Sequence, residues 1–468
     1  MKTLRAAGPR ALLAVVLGAC AAMLLLGYLN KQQCAGPPFD QFGQSEKFGE
    51  LKYVDFCYSD VQQLYAFRGI REHTFPYVQG SLDGDQLVGG AIEYPVLTGL
   101  FIWATGLLAH DDAQFLAASA LFLAPFGLVT GWLLCRLTGR RALVWAAAPA
   151  LAAYAYLNWD LLVTAAFAAA VYAWWRGRPA VAAGLLGVGA ALKLYPAFFL
   201  APLVAERLAA RDWRGAARVT LAGIGAFLLL NGPFLLANPD GWWATYEFQR
   251  LRPADITTNS IWYWGFPKLT IEQLNAITPL SIAAAWVLAL LVGFWRAARE
   301  SGNYPWIQVS GAMLCAFLLL NKVHSPQYTL WLLPFLVLVA VRWGWWVAFW
   351  VADAVLFVGL FSWYQTILDG GDFGLAKQAV IVGVWGQAAL LVLLYVVFLS
   401  APLAIVSSPG PSGSSASPSS ASSPSVFQPS VFQPSAYDQA RRGRSGDPSS
   451  TPPAGSSIPD DRTTSYSG

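Results

Sequence analysis

The polar segment that follows the first hydrophobic run carries residue types suited to acid–base chemistry. It covers about residues 30–92, contains FCYSDVQQLYAFRG and leads into EYP. Asp60 supplies a carboxylate that can accept a proton, and Arg68 supplies a guanidinium that can bind an anion. A long ordered polar segment between two hydrophobic runs indicates chemistry at one face of a membrane.

The local pattern predicts a short helix that positions Asp60. Ser59, followed three residues later by Gln62, is typical of a capping box. The helix is therefore expected to begin at Asp60, run to about Arg68 and end at Gly69. In the first turn the free N–H groups and the helix dipole favour an ionised carboxylate, the form that a general base needs. Arg68 would point to a similar side. The apolar side of the helix, with Val61, Leu64, Tyr65 and Phe67, is expected to lie on the membrane surface. The alternative is a surface helix on which Asp60 only matches the dipole.

Composition defines the class of protein. Of 468 residues, 56% are apolar, 21 are Trp and only 12% are charged, and the mean hydropathy is +0.47. These values predict a polytopic membrane protein and exclude an ordinary soluble domain. The net charge of +4 comes from arginine clusters beside hydrophobic runs. Membrane lipids are therefore expected partners and nucleic acid is not.

Apolar runs long enough to cross a bilayer predict about twelve transmembrane helices. An even number places both termini on one side, and Lys2, Arg5 and Arg10 identify that side as the cytoplasm of a plasma-membrane protein. The first run is favoured as a retained helix over a cleaved signal peptide. The runs lie near residues 11–29, 93–109, 114–135, 142–158, 161–175, 180–203, 218–237, 276–295, 305–321, 328–341, 344–364 and 378–400.

Two arrangements of the middle of the chain fit these runs. If 180–203 is one helix, the arginines of CRLTGRR and WWRGRP lie outside, against the usual charge bias, and Lys193 is an intramembrane cation. If the run breaks within KLYP, both clusters move inside, and Lys193 and Tyr195 lie at the outer face. That second arrangement requires 93–109 to be re-entrant. The sequence leaves both open.

The chain divides into a membrane region, residues 1–406, and a tail, residues 407–468. Ser, Pro and Gly dominate the tail, and VFQPS occurs twice in it. Such a composition cannot bury enough apolar surface to fold alone. The tail is expected to be a disordered cytoplasmic segment.

Neither the cysteines nor the acidic pairs predict a metal or cofactor site. Cys34 and Cys57 share the first loop, and whether they form a disulfide is left open. The other three cysteines lie in apolar runs and are expected to pack as small hydrophobes. Asp83 and Asp85 form DGD among glycines, which is interpreted as a turn in preference to a metal-binding pair. No cofactor is predicted, and a need for metal is left open.

Two further acidic residues lie at or within apolar runs. Asp160 ends NWD, and Asp353 lies deep in WVADAV. A charged side chain at that depth is costly unless it is paired or faces a cavity, and such residues are functional candidates by default. The sequence assigns no partner to Asp353.

Several short motifs occur in an order that resembles glycosyltransferase family 87. They are CYSD with LYAFRG, EYPVLTG, NWD, LKLYPAFFLAPL, NSIWYWG and NKVHSPQYTLWLLP, within residues 1–400. The family's characterised members are polyprenol-phosphate-mannose-dependent α-1,2-mannosyltransferases of the GT-C fold. The resemblance implies an all-α membrane bundle of GT-C type and transfer of a hexose, mannose by analogy, from a polyprenyl-phosphate donor to a lipid or glycan acceptor at the outer face. It also implies an acidic base in the first outer loop, which maps onto Asp60, with Asp55 as a nearby competitor.

Transfer from a lipid phosphate needs one base and a few cations. For inversion at the anomeric carbon, one carboxylate takes the acceptor proton while the phosphate leaves from the opposite face. The donor carries no nucleotide diphosphate, so an acidic metal-holding pair is not obligatory. Each substrate-binding candidate also has a structural reading, as a helix cap or an interfacial anchor. The substrate-binding candidates are Arg68, Glu93, Lys193, Tyr195, Lys322 and His324, with Arg250 and Arg252 as further cations.

Two other classes of function remain open. A transporter or flippase of a lipid-linked sugar would also be polytopic, but such proteins usually show repeated halves, and no internal repeat is evident. A non-catalytic membrane scaffold could use the Ser/Pro tail to recruit partners. Sugar transfer that depends on Asp60 would separate the enzyme from both.

Overall fold

The computed structural model describes residues 8–300, 303–371 and 374–406, so the predicted tail lies outside the described residues. In the described ranges the regular secondary structure is helical apart from one two-stranded hairpin. Six of these helices are long and apolar enough to cross a membrane, and five shorter ones are also apolar. The predicted all-α, multi-pass membrane class is confirmed, while the number of crossings stays a prediction.

Each predicted apolar run overlaps a helix of the structure. Single-turn 3₁₀ segments occupy 139–142 and 326–328. The α-helices are α1 (Pro9–Gln32), α2 (Glu46–Leu51), α3 (Asp60–Tyr65), α4 (Val96–Gly106), α5 (Asp112–Thr138), α6 (Leu143–Ala146), α7 (Pro149–Tyr154), α8 (Asp160–Trp175), α9 (Pro179–Leu192), α10 (Tyr195–Phe198), α11 (Leu200–Ala209), α12 (Trp213–Ala237), α13 (Pro239–Leu251), α14 (Ile261–Gly265), α15 (Ile271–Arg299), α16 (Trp306–Leu320), α17 (Thr329–Leu338), α18 (Trp343–Leu368) and α19 (Gly374–Ser400); the strands are β1 (Ser81–Asp83) and β2 (Gln86–Val88).

Two predicted runs are broken helices. The run 142–158 is interrupted before Pro149, whose missing N–H and ring cannot continue the preceding helix. The run 180–203 is interrupted at Lys193, which is extended at φ −151° and ψ 142°. Helix α10 restarts at Tyr195 with a proline in its first turn. The single-helix reading of 180–203 is therefore wrong.

The helix ends gather at two opposite faces of the membrane region. At one of them, here called the arginine face, the ends of α5, α8, α11, α15, α17 and α19 are joined by hydrogen bonds. Arg141 donates to Val337 O at 3.0 Å, and Arg296 donates to Leu399 O at 2.6 Å. Trp175 Nε1 donates to Val406 O at 3.0 Å. Both arginine clusters of the ambiguous region, CRLTGRR and WWRGRP, lie at this face.

The opposite face, here called the loop face, carries the first polar segment and both ends of α4. At its start, Thr98 Oγ1 donates to Leu192 O at 2.7 Å. After its end, the backbone N–H of Asp112 donates to Gly43 O, in the first loop, at 2.9 Å. Helix α4 therefore enters and leaves at the same face. These contacts and the break at Lys193 favour the arrangement in which 93–109 is re-entrant, which stays a prediction.

A disulfide and a hairpin fix the first loop. Cys34 and Cys57 are bonded, with their Cα atoms 6.1 Å apart, which settles the question left open by the sequence. Strands β1 and β2 pair antiparallel around Gly84 and Asp85, and Gly84 has φ +62°, which suits glycine. The interpretation of DGD as a turn is confirmed.

Candidate active site

Helix α3 begins at Asp60, as the sequence predicts. Ser59 is its N-cap and accepts a hydrogen bond from a first-turn N–H at 3.2 Å. The second half of the expected capping box is wrong, because Gln62 Nε2 donates to Asp112 Oδ2 at 3.2 Å and does not return to the N-cap. Helix α3 is therefore fixed to the start of α5 through the side chain of Gln62.

Helix α3 is shorter than predicted, because it ends at Tyr65. Arg68 and Gly69 have φ values of +76° and +69°, so the chain turns out of the helix there. Arg68 Nε donates to Glu93 Oε2 at 2.7 Å. Arg68 therefore does not share a helical face with Asp60, although its partner Glu93 lines the cavity described below. The apolar side of α3 does not lie on the membrane surface either, since Val61 and Tyr65 are fully buried in the protein.

A cavity of about 580 Å³ opens beside Asp60 at the loop face. Its volume lies in the range typical of sites for small ligands. Aromatic rings form much of one wall, including Tyr53, Phe361 and Tyr364. The predicted site residues in its lining are Asp60, Glu93, Lys193, Tyr195, Lys322 and Arg252.

The other predicted residues lie outside this lining. Asp55, the competitor of Asp60, is exposed. Arg250 is paired with Glu247 at 2.5 Å on the surface. His324 is half-buried behind the wall, with Nε2 2.8 Å from Gln387 Oε1. Of the two polar residues predicted in NKVHSPQY, only Lys322 lines the cavity.

Both carboxylate oxygens of Asp60 accept one hydrogen bond each. Tyr58 OH donates to Oδ1 at 2.8 Å, and Asn158 Nδ2 donates to Oδ2 at 2.7 Å. Burial raises the pKa of Asp60 above the usual value, although these two hydrogen bonds and the charge of Lys193 oppose the rise. The helix dipole favours the ionised form, but desolvation is the largest influence on the pKa of Asp60. A carboxylate with a raised pKa is a stronger base. Its remaining lone pairs can also accept a hydrogen bond from one more donor.

Lys193 is held next to Asp60 by polar and aromatic groups. Its Nζ lies 2.5 Å from Asp160 Oδ1 and 3.1 Å from Asn158 Oδ1. Trp331 donates from Nε1 to the same Asp160 oxygen at 2.7 Å, and its ring lies 5.2 Å from the ammonium. Asn158 thus connects the carboxylate to the cation. The charge of Lys193 is already balanced by a buried partner, which a newly bound anion would have to share.

Lys322 and Arg252 form the second cationic part of the cavity. Lys322 Nζ donates to Arg250 O at 2.6 Å and to Asn275 Oδ1 at 2.8 Å. Burial, together with the charges of Arg250 and Arg252, lowers the pKa of Lys322 to about 8. Within the described ranges, neither Lys322 nor Arg252 forms an ion pair with a carboxylate. Such a pair of cations suits a bound phosphate.

The sequence did not identify Tyr58 or Asn158 as site residues. Both occur in motifs quoted from the sequence, CYSD and NWD, but an Asn before a helix is usually a cap, and its distant partners are not visible in one sequence. Across the described parts of the chain, no group of three or more His, Cys, Asp and Glu side chains is placed to hold a metal ion.

The helices and the cavity define a multi-pass membrane protein with a carboxylate and several cations around one chamber at its loop face. The chain belongs to glycosyltransferase family 87, whose model matches residues 92–326, half of the chain. The first loop, with Asp60, precedes the matched range. With the family shown, the predicted helical class of GT-C type stands as well.

Two individual proteins are similar to this chain. An undecaprenyl phosphate-alpha-4-amino-4-deoxy-L-arabinose arabinosyl transferase 1 from Pseudomonas fluorescens (strain Pf0-1) is 26% identical over 293 residues, which cover 57% of this chain and 46% of that protein. The chain thus spans less than half the length of this curated relative. The crystal structure of ArnT from Cupriavidus metallidurans bound to undecaprenyl phosphate covers 82% of this chain and 77% of its own, at 16% identity and a TM-score of 0.40. That similarity is too weak to assign residue roles.

Proposed function

We propose that this family 87 protein transfers a hexose, mannose by family resemblance, from a polyprenyl-phosphate donor to a hydroxyl of a lipid or glycan acceptor. The observation that carries the proposal is one cavity that contains an oriented carboxylate, Asp60, and two cations, Lys322 and Arg252, that have no carboxylate partner among the residues the structure describes. The name of the curated relative specifies a sugar carried on undecaprenyl phosphate, which supports the donor class.

The proposed reaction uses Asp60 as the base and inverts the anomeric carbon. The acceptor hydroxyl gives its proton to Asp60 as its oxygen bonds to the anomeric carbon. On the opposite face the bond from that carbon to the phosphate oxygen breaks, and its electron pair leaves with the lipid phosphate. The phosphodiester becomes a monoester and gains negative charge, which Lys322 and Arg252 stabilise.

The remaining lining residues have supporting roles in this scheme. Asn158 and Tyr58 hold the Asp60 carboxylate in one orientation. Lys193 keeps a positive charge near the base, which favours its ionised form. Tyr195 and Glu93 line the cavity and are proposed to contact the sugars. Arg68 is proposed to act through Glu93, its ion-pair partner.

The loop face is proposed to be the outer side of the plasma membrane. The arginine face concentrates Arg and would then be cytoplasmic, in accordance with the positive-inside bias. A disulfide in the first loop also favours an oxidising compartment for the opposite face. The donor would reach the cavity from the membrane, and both chain ends would be cytoplasmic.

The test is transfer from a radiolabelled polyprenyl-phosphate-mannose donor in membranes that contain the wild type or Asp60→Asn. Loss of the base is expected to lower the rate by about 100- to 10,000-fold. Asp55→Asn is the matched control, because Asp55 lies in the same loop but is exposed outside the cavity lining. It is expected to keep the wild-type rate.

Two results would contradict the proposal. Full transfer by Asp60→Asn would remove Asp60 as the base. No transfer by the wild type from any of a panel of polyprenyl-phosphate sugars would remove the activity and favour a transporter or a scaffold.

A further inference from the structure

The segment between α16 and α17 brings a cation to the cavity although most of it has no regular structure. With the first residue of α17 included, it comprises residues 321–329, with the sequence NKVHSPQYT and a single 3₁₀ turn. Lys322 near its start and Tyr328 near its end both line the cavity. A chain of this kind needs external contacts to hold Lys322 in one place, since its own backbone supplies few hydrogen bonds.

His324 anchors the first half of this segment away from the cavity. Its ring is half-buried, with Nδ1 3.0 Å from Leu318 O and Nε2 2.8 Å from Gln387 Oε1. Its backbone N–H donates to Thr258 O at 2.6 Å. With both ring nitrogens engaged behind the wall, His324 is in place to hold the segment and does not touch the open cavity.

Asp353 anchors the second half. Its Oδ1 accepts from Thr329 Oγ1 at 2.6 Å and from Gln387 Nε2 at 3.1 Å, and its Oδ2 accepts from Tyr154 OH at 3.1 Å. Asp353 is 5% exposed. Three donors thus offset part of the cost of a carboxyl group in the middle of α18. The partner that the sequence could not assign is this set of hydroxyl and amide groups.

Gln387 of α19 is the residue that joins the two anchors. Its amide contacts His324 with one end and Asp353 with the other, and it is 2% exposed. The network ties α7, α18 and α19 to both halves of the 321–329 segment. Burial makes each of these hydrogen bonds expensive to leave unmade, so the geometry of the segment is well determined.

We propose that Asp353 and Gln387 are positioning residues of the transferase, which act by fixing the 321–329 segment so that Lys322 stays at the phosphate end of the cavity. This inference rests on the proposed function. Neither residue lines the main cavity, so their influence on transfer passes through the segment that they hold, and we assign it to Lys322, the cation of that segment. Loss of the network is expected to lower kcat/KM by about 10- to 100-fold, because small displacements of a binding group are costly to catalysis.

The test is a double-mutant cycle with Gln387→Met and Lys322→Met, measured as kcat/KM with the polyprenyl-phosphate-mannose donor. If Gln387 acts through Lys322, the double variant is expected to be no slower than Lys322→Met alone. Thr329→Val, at the other anchor, is expected to show the same dependence on Lys322. Gln308→Met is the matched control, since Gln308 is equally buried in α16 but takes no part in the network. Its loss in kcat/KM, whatever its size, is expected to multiply with that of Lys322→Met.

Each outcome decides the proposal. The proposal is wrong if the loss in kcat/KM from Gln387→Met or from Thr329→Val multiplies with the loss from Lys322→Met in the double variants. It is also wrong if Gln387→Met and Thr329→Val each keep wild-type kinetics. If Gln387→Met does not fold, judged by its elution and melting in detergent, the Thr329→Val cycle decides alone. If the wild type transfers sugar but the losses multiply in these cycles, only the positioning role is overturned. A wild type inactive with every donor overturns both this inference and the proposed function.

Discussion

At the scale of single residues, the electrostatics of Asp60 are set by competition. Removal from water raises its pKa, and the hydrogen bonds from Asn158 and Tyr58, with the nearby charge of Lys193, act in the opposite direction. The burial effect is the largest, so Asp60 holds its proton at a higher pH than a free aspartate, whose pKa is about 3.9. A base of this kind loses activity on the acidic side as it becomes protonated.

This competition predicts how the pH profile responds to Tyr58→Phe. The hydroxyl of Tyr58 stabilises the ionised form of Asp60, so its removal raises the pKa of Asp60 further. The acidic limb of kcat/KM, which falls as pH drops through that pKa, is expected to move to higher pH. The measurement is transfer across a pH series for the wild type and Tyr58→Phe. A limb that stays in place, or moves to lower pH, would show that Asp60 is not the titrating base.

Asp60 was accessible to sequence reasoning and its main partner was not. The helix start at Asp60 follows from residues within three positions of it, which one sequence displays. The hydrogen bond from Asn158 to Asp60 joins residues 98 positions apart. The helix break at Lys193 determines which groups lie beside Asp60. Burial, the largest influence on the pKa of Asp60, is likewise a property of the assembled chain.

At the scale of elements, the first loop is held by covalent and polar restraints. The disulfide closes a stretch whose ends are 23 positions apart, and Cys57 precedes Asp60 by only three residues. At the other side of α3, Gln62 and Ser45 donate to the carboxylate of Asp112, which begins α5. The base is therefore fixed from both sides of a helix that is only six residues long.

Replacement of Cys34 and Cys57 by Ser is expected to loosen this loop. A cross-link over such a separation stabilises a fold by about 3 kcal/mol in the chain-entropy description. The double variant is expected to melt at a lower temperature in detergent and to transfer sugar more slowly. Either single replacement should give nearly the same shift, since each breaks the same bond. Cys135→Ala, at a free cysteine, is the control. An unchanged melting temperature in the double variant would contradict the restraint.

Element positions followed from the sequence better than element continuity did. Apolar runs of about 20 residues are visible in composition, and each one overlaps a helix. The break at Lys193 was one of two readings, because an apolar run with a single lysine fits either a continuous helix or a hairpin. The structure decides between them through contacts of α4, whose Thr98 meets Leu192 at the loop face. The shortened α3 has a similar origin, since Arg68 adopts a left-handed conformation that favours glycine.

At the scale of the whole molecule, the two faces differ in charge and in architecture. The arginine face gathers short connections and basic residues, and the segment after α19 pairs there with the end of α17, where Ala404 N–H donates to Leu338 O at 2.7 Å. The loop face carries the disulfide, the hairpin, α13 and the cavity. A chamber that opens at the loop face is the arrangement expected of an enzyme that serves one side of a membrane. A transporter would need access from both.

The orientation of these faces can be measured with single reporter cysteines. Asp85 lies at the exposed tip of the hairpin on the loop face, and Arg214 is exposed at the arginine face, so the two reporters are Asp85→Cys and Arg214→Cys. A membrane-impermeant maleimide is expected to label position 85 in intact cells and position 214 only after permeabilisation, because basic loops remain in the cytoplasm. The wild type is the control and should stay unlabelled, since its three free cysteines are buried. The reverse pattern would place Asp60 and the cavity at the cytoplasmic side, and transfer at the outer face would then have to be abandoned.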